Sequence, residues 1–242
     1  MNRPLDEQER ERLESQYAEI ASLAGGLAHE IRNPLSTIRM NLALLFEDLE
    51  ESDFSGAHRI QRKLQMIQRE CSHLEEILEA FLQFARAGEL TLEAGDLSAL
   101  VQEFIDFYRP EAEQHGIDIS PHLATHLPPI DMDENLMRQV LGNLVRNAQQ
   151  AMPDGGLLEL QTYSRDGAVV LEIIDTGCGM SPAALEKMFE IFFSTKSSGS
   201  GLGLPTVRKI VKAHRGTIQC ESTVGSGTRF TLTFPASASA AT

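Results

Sequence analysis

His29 and Glu30 stand side by side in the run AGGLAHEIRNPLSTI, residues 24–38, and pair an imidazole nucleophile with a carboxylate base. A neutral imidazole attacks with one ring nitrogen while a neighbouring base holds or removes the proton on the other. The apolar residues flanking His29 are Leu27 and Ile31, two positions to either side. Two residues turn a helix through about 200°, so His29 faces away from the apolar stripe. Asn33, four residues on, shares its side. Taken alone, such a histidine is more often an ordinary surface residue. The zinc pattern H-E-x-x-H fails, because Asn33 stands where the second histidine belongs. The other six histidines, at 58, 73, 115, 122, 126 and 214, have no such context and read as surface or structural residues.

A second set of residues, in the C-terminal half, has the chemistry of a nucleotide site. Asn143 and Asn147 are spaced i, i+4 and share a helix face beside the apolar stripe Leu136, Val140, Leu144 and Ala148. Two such amides offer oxygens to Mg²⁺ and donors to phosphate, although the pair alone could be a polar outer face. Next, VVLEIIDTGCGM runs from an apolar strand into Asp175, Gly177 and Gly179. A carboxylate at a strand end can accept a hydrogen bond from an exocyclic amine such as that of adenine, and glycines allow close backbone approach. Then Gly199, Gly201 and Gly203 lead into a helix, whose N-terminal N–H groups and dipole suit phosphate. Ser194, Thr195 and Lys196 read as a lid, with Lys196 placed to meet a phosphate. Gly225-Ser-Gly227-Thr228 could be no more than a hairpin turn. There is no G-K-[ST] of a Walker A loop.

The elements that must carry these residues follow from periodicity. Leu13, Tyr17, Ile20, Ala24, Leu27 and Ile31 alternate in steps of four and three, and Leu35, Ile38, Leu42, Leu45 and Leu49 continue the stripe. The steps from Leu27 to Ile31 to Leu35 are both four, with Pro34 inside, which perturbs the seam beside His29. After a polar break at 51–58, a second stripe runs through Ile60, Leu64, Ile67, Cys71, Leu74, Leu78, Phe81 and Ala85. The result is an antiparallel helical hairpin over 1–88 that leaves apolar seam for a second copy, giving a four-helix bundle as a homodimer. Residues 89–96 read as a linker. From 97 to 235, helices near 97–113, 134–152, 182–189 and 204–214 interleave with strands near 117–120, 129–132, 157–163, 168–175, 216–222 and 228–234. That order describes an α/β two-layer sandwich, with Asp131 or Asp133 capping the helix at 134. Residues 236–242 read as a disordered tail.

Composition narrows the partners. The 242 residues carry a formal net charge of -14, which repels a nucleic-acid backbone. The three cysteines are too few and too scattered for a disulfide framework, and fit a reducing, cytoplasmic setting. No apolar run approaches the ~18 residues of a membrane span. Nothing in the chain reads as a sensor, so it could be the cytoplasmic part of a larger receptor.

The string H-E-I-R-N-P-L resembles the H-box of sensor histidine kinases. The later elements, in order, resemble the N-box, D-x-G-x-G box, F-box and G-x-G box of the GHKL ATPases. The short lid around FFSTK is similar to the nitrogen-regulatory type. The resemblance implies a Bergerat-type ATP-binding fold, a dimer, and a kinase that phosphorylates itself. His29 would be the phospho-acceptor, Glu30 its general base, and Asn33 a water-positioning residue for a phosphatase activity. Asp175 would bind adenine with Gly177, Gly179 and Thr228 around it, and Asn147 would hold Mg²⁺. Asn143, Lys196, Gly199, Gly201, Leu202 and Gly203 would lie near the phosphates of ATP. The partner implied is a response-regulator receiver domain. Two rivals are a phosphotransfer scaffold that binds no nucleotide and a GHKL ATPase of the chaperone or topoisomerase kind. The intact ATP motifs oppose the first, and the hairpin with its His-Glu pair opposes the second.

Overall fold

The structure, a computed structural model, describes residues 27–28, 30–47, 57–87, 90–196 and 199–237. His29, the seam residues before Leu27, Leu49, and residues 51–56 of the polar break lie outside the described residues. Contacts divide the chain into two units, one ending at Leu82 and joined by Lys196–Ser200, the other comprising Gln83–Thr195 and Gly201 onwards.

In the first unit, α1 (residues 30–47) and α2 (Ala57–Arg86) run antiparallel. The Lys63 ammonium donates to the Leu44 carbonyl at 2.8 Å, and residues 30–37 face residues 65–76 across a groove. The helix continues through Pro34, which is buried. Ser36 and Thr37 return their hydroxyls to the Arg32 and Asn33 carbonyls, the local back-bonding open to these residues in a helix. The expected apolar stripes split in two. On α1 the inward positions are Pro34 and Asn41, while Leu35 and Leu42 are exposed. On α2, Ile60, Ile67, Leu74 and Phe81 are half-buried, whereas Leu64, Cys71 and Leu78 are exposed in steps of seven. Such uncovered seams need a partner surface.

The second unit begins with the last turn of α2. Phe84 is only 2% exposed and lies under the Lys209 ammonium at 4.5 Å, while Gln139 donates to Gln83 at 3.1 Å. Within the segment read as a linker, β1 (Glu93–Gly95) pairs antiparallel with β3 (Ile130–Met132). The helix α3 (Leu97–Gln114) starts where the Asp96 carboxylate accepts the N–H groups of Ser98 and Ala99. A five-stranded sheet is built from β2 (Ile117–Leu123), β4 (Gly156–Arg165), β5 (Ala168–Asp175), β6 (Thr217–Thr223) and β7 (Gly227–Pro235), in the order β2-β4-β5-β7-β6. Only the β2–β4 pair is parallel.

One face of this sheet, with Leu158, Leu160, Leu171, Ile173, Phe230 and Leu232, packs with α3, α4 (Glu134–Ala151) and α6 (Gly203–Ala213) in a single core. The other carries a polar network in which Tyr163 and Thr231 donate to Glu172. The short helix α5 (Pro182–Lys187) is capped by Ser181. The α/β two-layer sandwich stands as the sequence indicates.

Of the two candidate caps for α4, Asp133 serves, accepting Leu136 N–H at 3.1 Å. Its second oxygen accepts Thr91 N–H at 3.0 Å, and its own N–H reaches Nε2 of His214 at 2.9 Å. An N–H can only donate, so His214 is the neutral tautomer whose Nδ1–H meets the Ile210 carbonyl at 2.8 Å. His214 is thus structural, as expected, and ties the end of α6 to the start of α4. The tail begins later than residue 236: Ser237 is buried and donates its N–H to Pro129 O at 2.7 Å.

Candidate functional site

The second unit gathers its motif residues along one face of α4. Asn143, Asn147 and Ala151 recur every fourth residue, so they mark a line about 12 Å long at 1.5 Å per residue. At one end, Asn143 Oδ1 lies 4.0 Å from where a Gly203 side chain would begin. Gly203 is the first residue of α6, and its N-cap, the buried Leu202, makes no side-chain capping bond. The N-cap side chain thus offers no acceptor of its own to the opening N–H groups of α6, a setting that suits an anion.

At the other end, the Ala151 carbonyl accepts Cys178 N–H at 2.9 Å, and a Cβ on Gly177 would collide with Ala151 at 2.7 Å. Glycine at 177 is what lets the loop seat against α4.

Asp175 precedes that loop on the helix-facing side of β5, 6% exposed. Its Oδ1 accepts Gly177 N–H at 2.9 Å, which fixes the carboxylate. The β5–β7 register sets Thr228 directly opposite it, and the β6–β7 register sets Ser222 beyond. Ser222 Oγ donates to Gly227 O at 2.9 Å, accepts Met180 N–H at 2.8 Å, and meets the Thr228 hydroxyl at 3.0 Å. Burial, and then the negative charge of Asp175, pushes the Cys220 thiol up to about 12. The Asp175 charge thus reaches the neighbouring rungs of the sheet.

Gly179 packs on the Thr223 backbone, where a Cβ would sit 2.1 Å from the carbonyl oxygen. Gly201 O accepts Phe192 N–H at 3.1 Å, fastening the chain before α6 to the start of the F-F-S-T segment. Asn143, Asn147, Asp175, Gly177, Gly179, Gly201, Leu202, Gly203 and Thr228 thus come from distant stretches to one corner of the sandwich. Lys196 and Gly199, joined by a hydrogen bond of 3.3 Å, group by contact with the helical unit. Sequence reasoning did not single out Ser222 or Ala151, since neither sits in a recognisable motif.

In the first unit, Glu30 is half-buried and Asn33 exposed. Both line a groove of about 790 Å³ with Thr37, Arg69, His73 and Glu76. His73 approaches Glu76 at 3.8 Å. Among the described residues no group of three His, Cys, Asp or Glu side chains could hold a metal, and no helix is long and apolar enough to cross a membrane.

Known proteins share both halves of this arrangement. Residues 19–90 match the His Kinase A (phospho-acceptor) domain, and residues 132–238 match the Histidine kinase-, DNA gyrase B-, and HSP90-like ATPase family. The signal transduction histidine-protein kinase AtoS of Escherichia coli (strain K12) is 34% identical over 219 residues, covering 90% of this chain and 35% of AtoS. The chain spans about a third to a half of the length of AtoS and of the sensor histidine kinases ZraS of Escherichia coli, relatives it matches at 34–35% identity. Full-length ShkA in complex with AMPPNP superposes with a TM-score of 0.62 at 30% identity, over 90% of this chain and 45% of ShkA. The histidine kinase ThkA in complex with the response regulator TrrA gives a TM-score of 0.70 at 26% identity, over 94% of this chain and 64% of that one. With a phospho-acceptor domain followed by an ATPase domain of this fold, the chain belongs to the sensor histidine kinases of two-component systems.

Proposed function

We propose that this chain is the core of a protein-histidine kinase, which transfers the γ-phosphoryl group of ATP to His29 and then to an aspartate of a response regulator. The observation that carries the reading is the line Asn143–Asn147–Ala151 on α4, which runs from the start of α6 to the Asp175 loop. It joins an anion site at one end to a buried carboxylate at the other, as a purine nucleotide with a phosphate chain requires. Asp175 accepts the adenine amine, and Thr228 and the glycines 177 and 179 border the ring. Asn143, Gly201, Leu202 and Gly203 meet the phosphates, with Lys196 and Gly199 contributing from the lid.

A magnesium ion fits these residues. Mg²⁺ needs few protein ligands when phosphates and water complete its shell, and the Asn147 amide oxygen is the donor offered. Bound there, it neutralises phosphate charge; the chain's residues do the rest.

A His29 ring nitrogen attacks the γ-phosphorus, the N–P bond forms as the bond to the ADP oxygen breaks, and Glu30 takes the imidazole proton. Receiver-domain transfer breaks the N–P bond and forms an acyl phosphate on the partner's aspartate. Asn33 orients water when the same surface dephosphorylates that partner. Residues 1–88 are read as the phosphotransfer hairpin, 89–96 as the linker and 97–235 as the ATP-binding domain, with Gln83–Ala87 and β1 packing as part of the second unit.

Incubation with γ-labelled ATP and magnesium tests the assignment. Wild type is expected to take up acid-labile label and His29→Gln none; label on both, or on neither, overturns it. The exposed steps Leu64, Cys71 and Leu78 on α2, with Leu35 and Leu42 on α1, are read as the seam of a homodimer. Sedimentation should give the mass of two chains, and a persistent monomer at micromolar concentration would refute the dimer.

A further inference from the structure

The motifs of the ATP-binding unit supply amides, glycines and a carboxylate, yet the chain as a whole is strongly acidic. A polyphosphate needs positive charge close by to offset that field. Two basic residues of α6 are turned to other tasks: Arg208 donates to Phe189 O at 3.1 Å and lies over the Phe189 ring, while Lys209 lies over Phe84.

Arg146 is different. It sits on α4 between Asn143 and Asn147, is exposed, and among the described residues forms no ion pair. Its guanidinium folds back along its own helix, with Nε donating to Gly142 O at 3.2 Å and Nη2 to Asn143 Oδ1 at 3.3 Å.

That second bond has a consequence for Asn143. Every guanidinium N–H is a donor, so the Asn143 atom facing Arg146 must be the oxygen. That oxygen, which is also the Asn143 atom facing the Gly203 position, is thereby tied to the guanidinium. Asn143 borders Gly203 at the opening of α6, where the anion site lies.

We propose that Arg146 is a cationic residue of the phosphate site, binding the polyphosphate of ATP through its guanidinium and fixing the Asn143 side chain beside the opening of α6. This rests on the nucleotide reading above and adds to it a residue that no motif names. Arginine suits the task, since its planar fork can serve Asn143 and a phosphate oxygen together, which a lysine ammonium cannot do with the same geometry.

Calorimetric titration of the full chain with ATP, ADP and AMP, each with magnesium, tests it in wild type, Arg146→Ala and Arg146→Lys. Arg146→Ala should weaken ATP and ADP by about ten-fold or more, the loss of a charge-assisted donor to an anion, and AMP by less than about two-fold. Arg146→Lys should fall between wild type and alanine for ATP. Added salt should weaken ATP binding more steeply in wild type than in Arg146→Ala. ATP affinity unchanged in Arg146→Ala would overturn the proposal, as would AMP weakening in the same proportion as ATP, the sign of a merely structural role. A wild type that binds no adenine nucleotide at all would overturn the nucleotide reading together with it, so the two failures are distinguishable.

Discussion

Asp175→Asn should lower ATP affinity by about two orders of magnitude while leaving the ATP-binding unit folded. Two observations set this apart from an ordinary core substitution. Asp175 is buried at the end of β5, and its Oδ1 is committed to Gly177 N–H at 2.9 Å. An asparagine can keep that bond through its amide oxygen, so the turn survives. Its NH₂ group then replaces the second carboxylate oxygen, and a donor faces the exocyclic amine of adenine, itself a donor. A charged acceptor is lost and an opposed pair of donors is gained, at a cost of about 1.5–3 kcal/mol for the acceptor alone. The same change should improve the relative affinity for ITP, whose ring carries an oxygen in place of the amine and can accept from the new NH₂. Titration with both nucleotides decides the matter. ATP binding within about two-fold of wild type would sink the adenine assignment, and thermal melting of each variant checks the fold.

Gly227→Ala should be the most destabilising single-methyl change in the β6–β7 turn, and Gly225→Ala its mild counterpart. Both glycines have positive φ, +89° at 227 and +78° at 225. An alanine in that region costs about 1–2 kcal/mol. At Gly225 the cost ends there, because nothing lies within 4 Å of an added Cβ. At Gly227 the same atom would sit 1.9 Å from the Asp175 carbonyl oxygen and 3.0 Å from Thr176 Cα. Backbone must move, and the backbone in question carries the carboxylate proposed to bind adenine. A total cost of about 3–5 kcal/mol follows, with loss of ATP affinity in whatever fraction stays folded. Urea melts followed in the ATP-binding unit, together with ATP titration, provide the check. Equal stability of the two variants would show that the Gly227–Asp175 contact relaxes freely.

This pair of glycines also shows where sequence reasoning stops. In the string Gly225-Ser-Gly227-Thr228 the two look alike, and a hairpin turn explains both. Only the pairing of β7 with β5, across a gap of more than fifty residues, puts Gly227 on Asp175. The helical stripes behaved similarly. Alternating steps of four and three along α1 and α2 marked amphipathic helices correctly. They did not show that Asn41 and Pro34 face inward while Leu35 and Leu42 face out, because helix rotation is set by the partner helix. At 133 the reverse holds: an aspartate directly before a helical run can act locally, and it caps α4 as read.

By itself the sequence indicated the main helices and strands, their order and the residues proposed to carry chemistry, including His29 with Glu30 and the amides, carboxylate and glycines of the proposed nucleotide site. Those features depend on neighbours within a few positions, through periodicity, capping and turn geometry. Tertiary structure alone decided that α4 joins the start of α6 to the Asp175 loop, that Thr228 and Ser222 extend the Asp175 rung, and that Arg146 bonds Asn143 beside Gly203. Such contacts arise from strand register and helix packing between segments far apart in the chain, which no local pattern records.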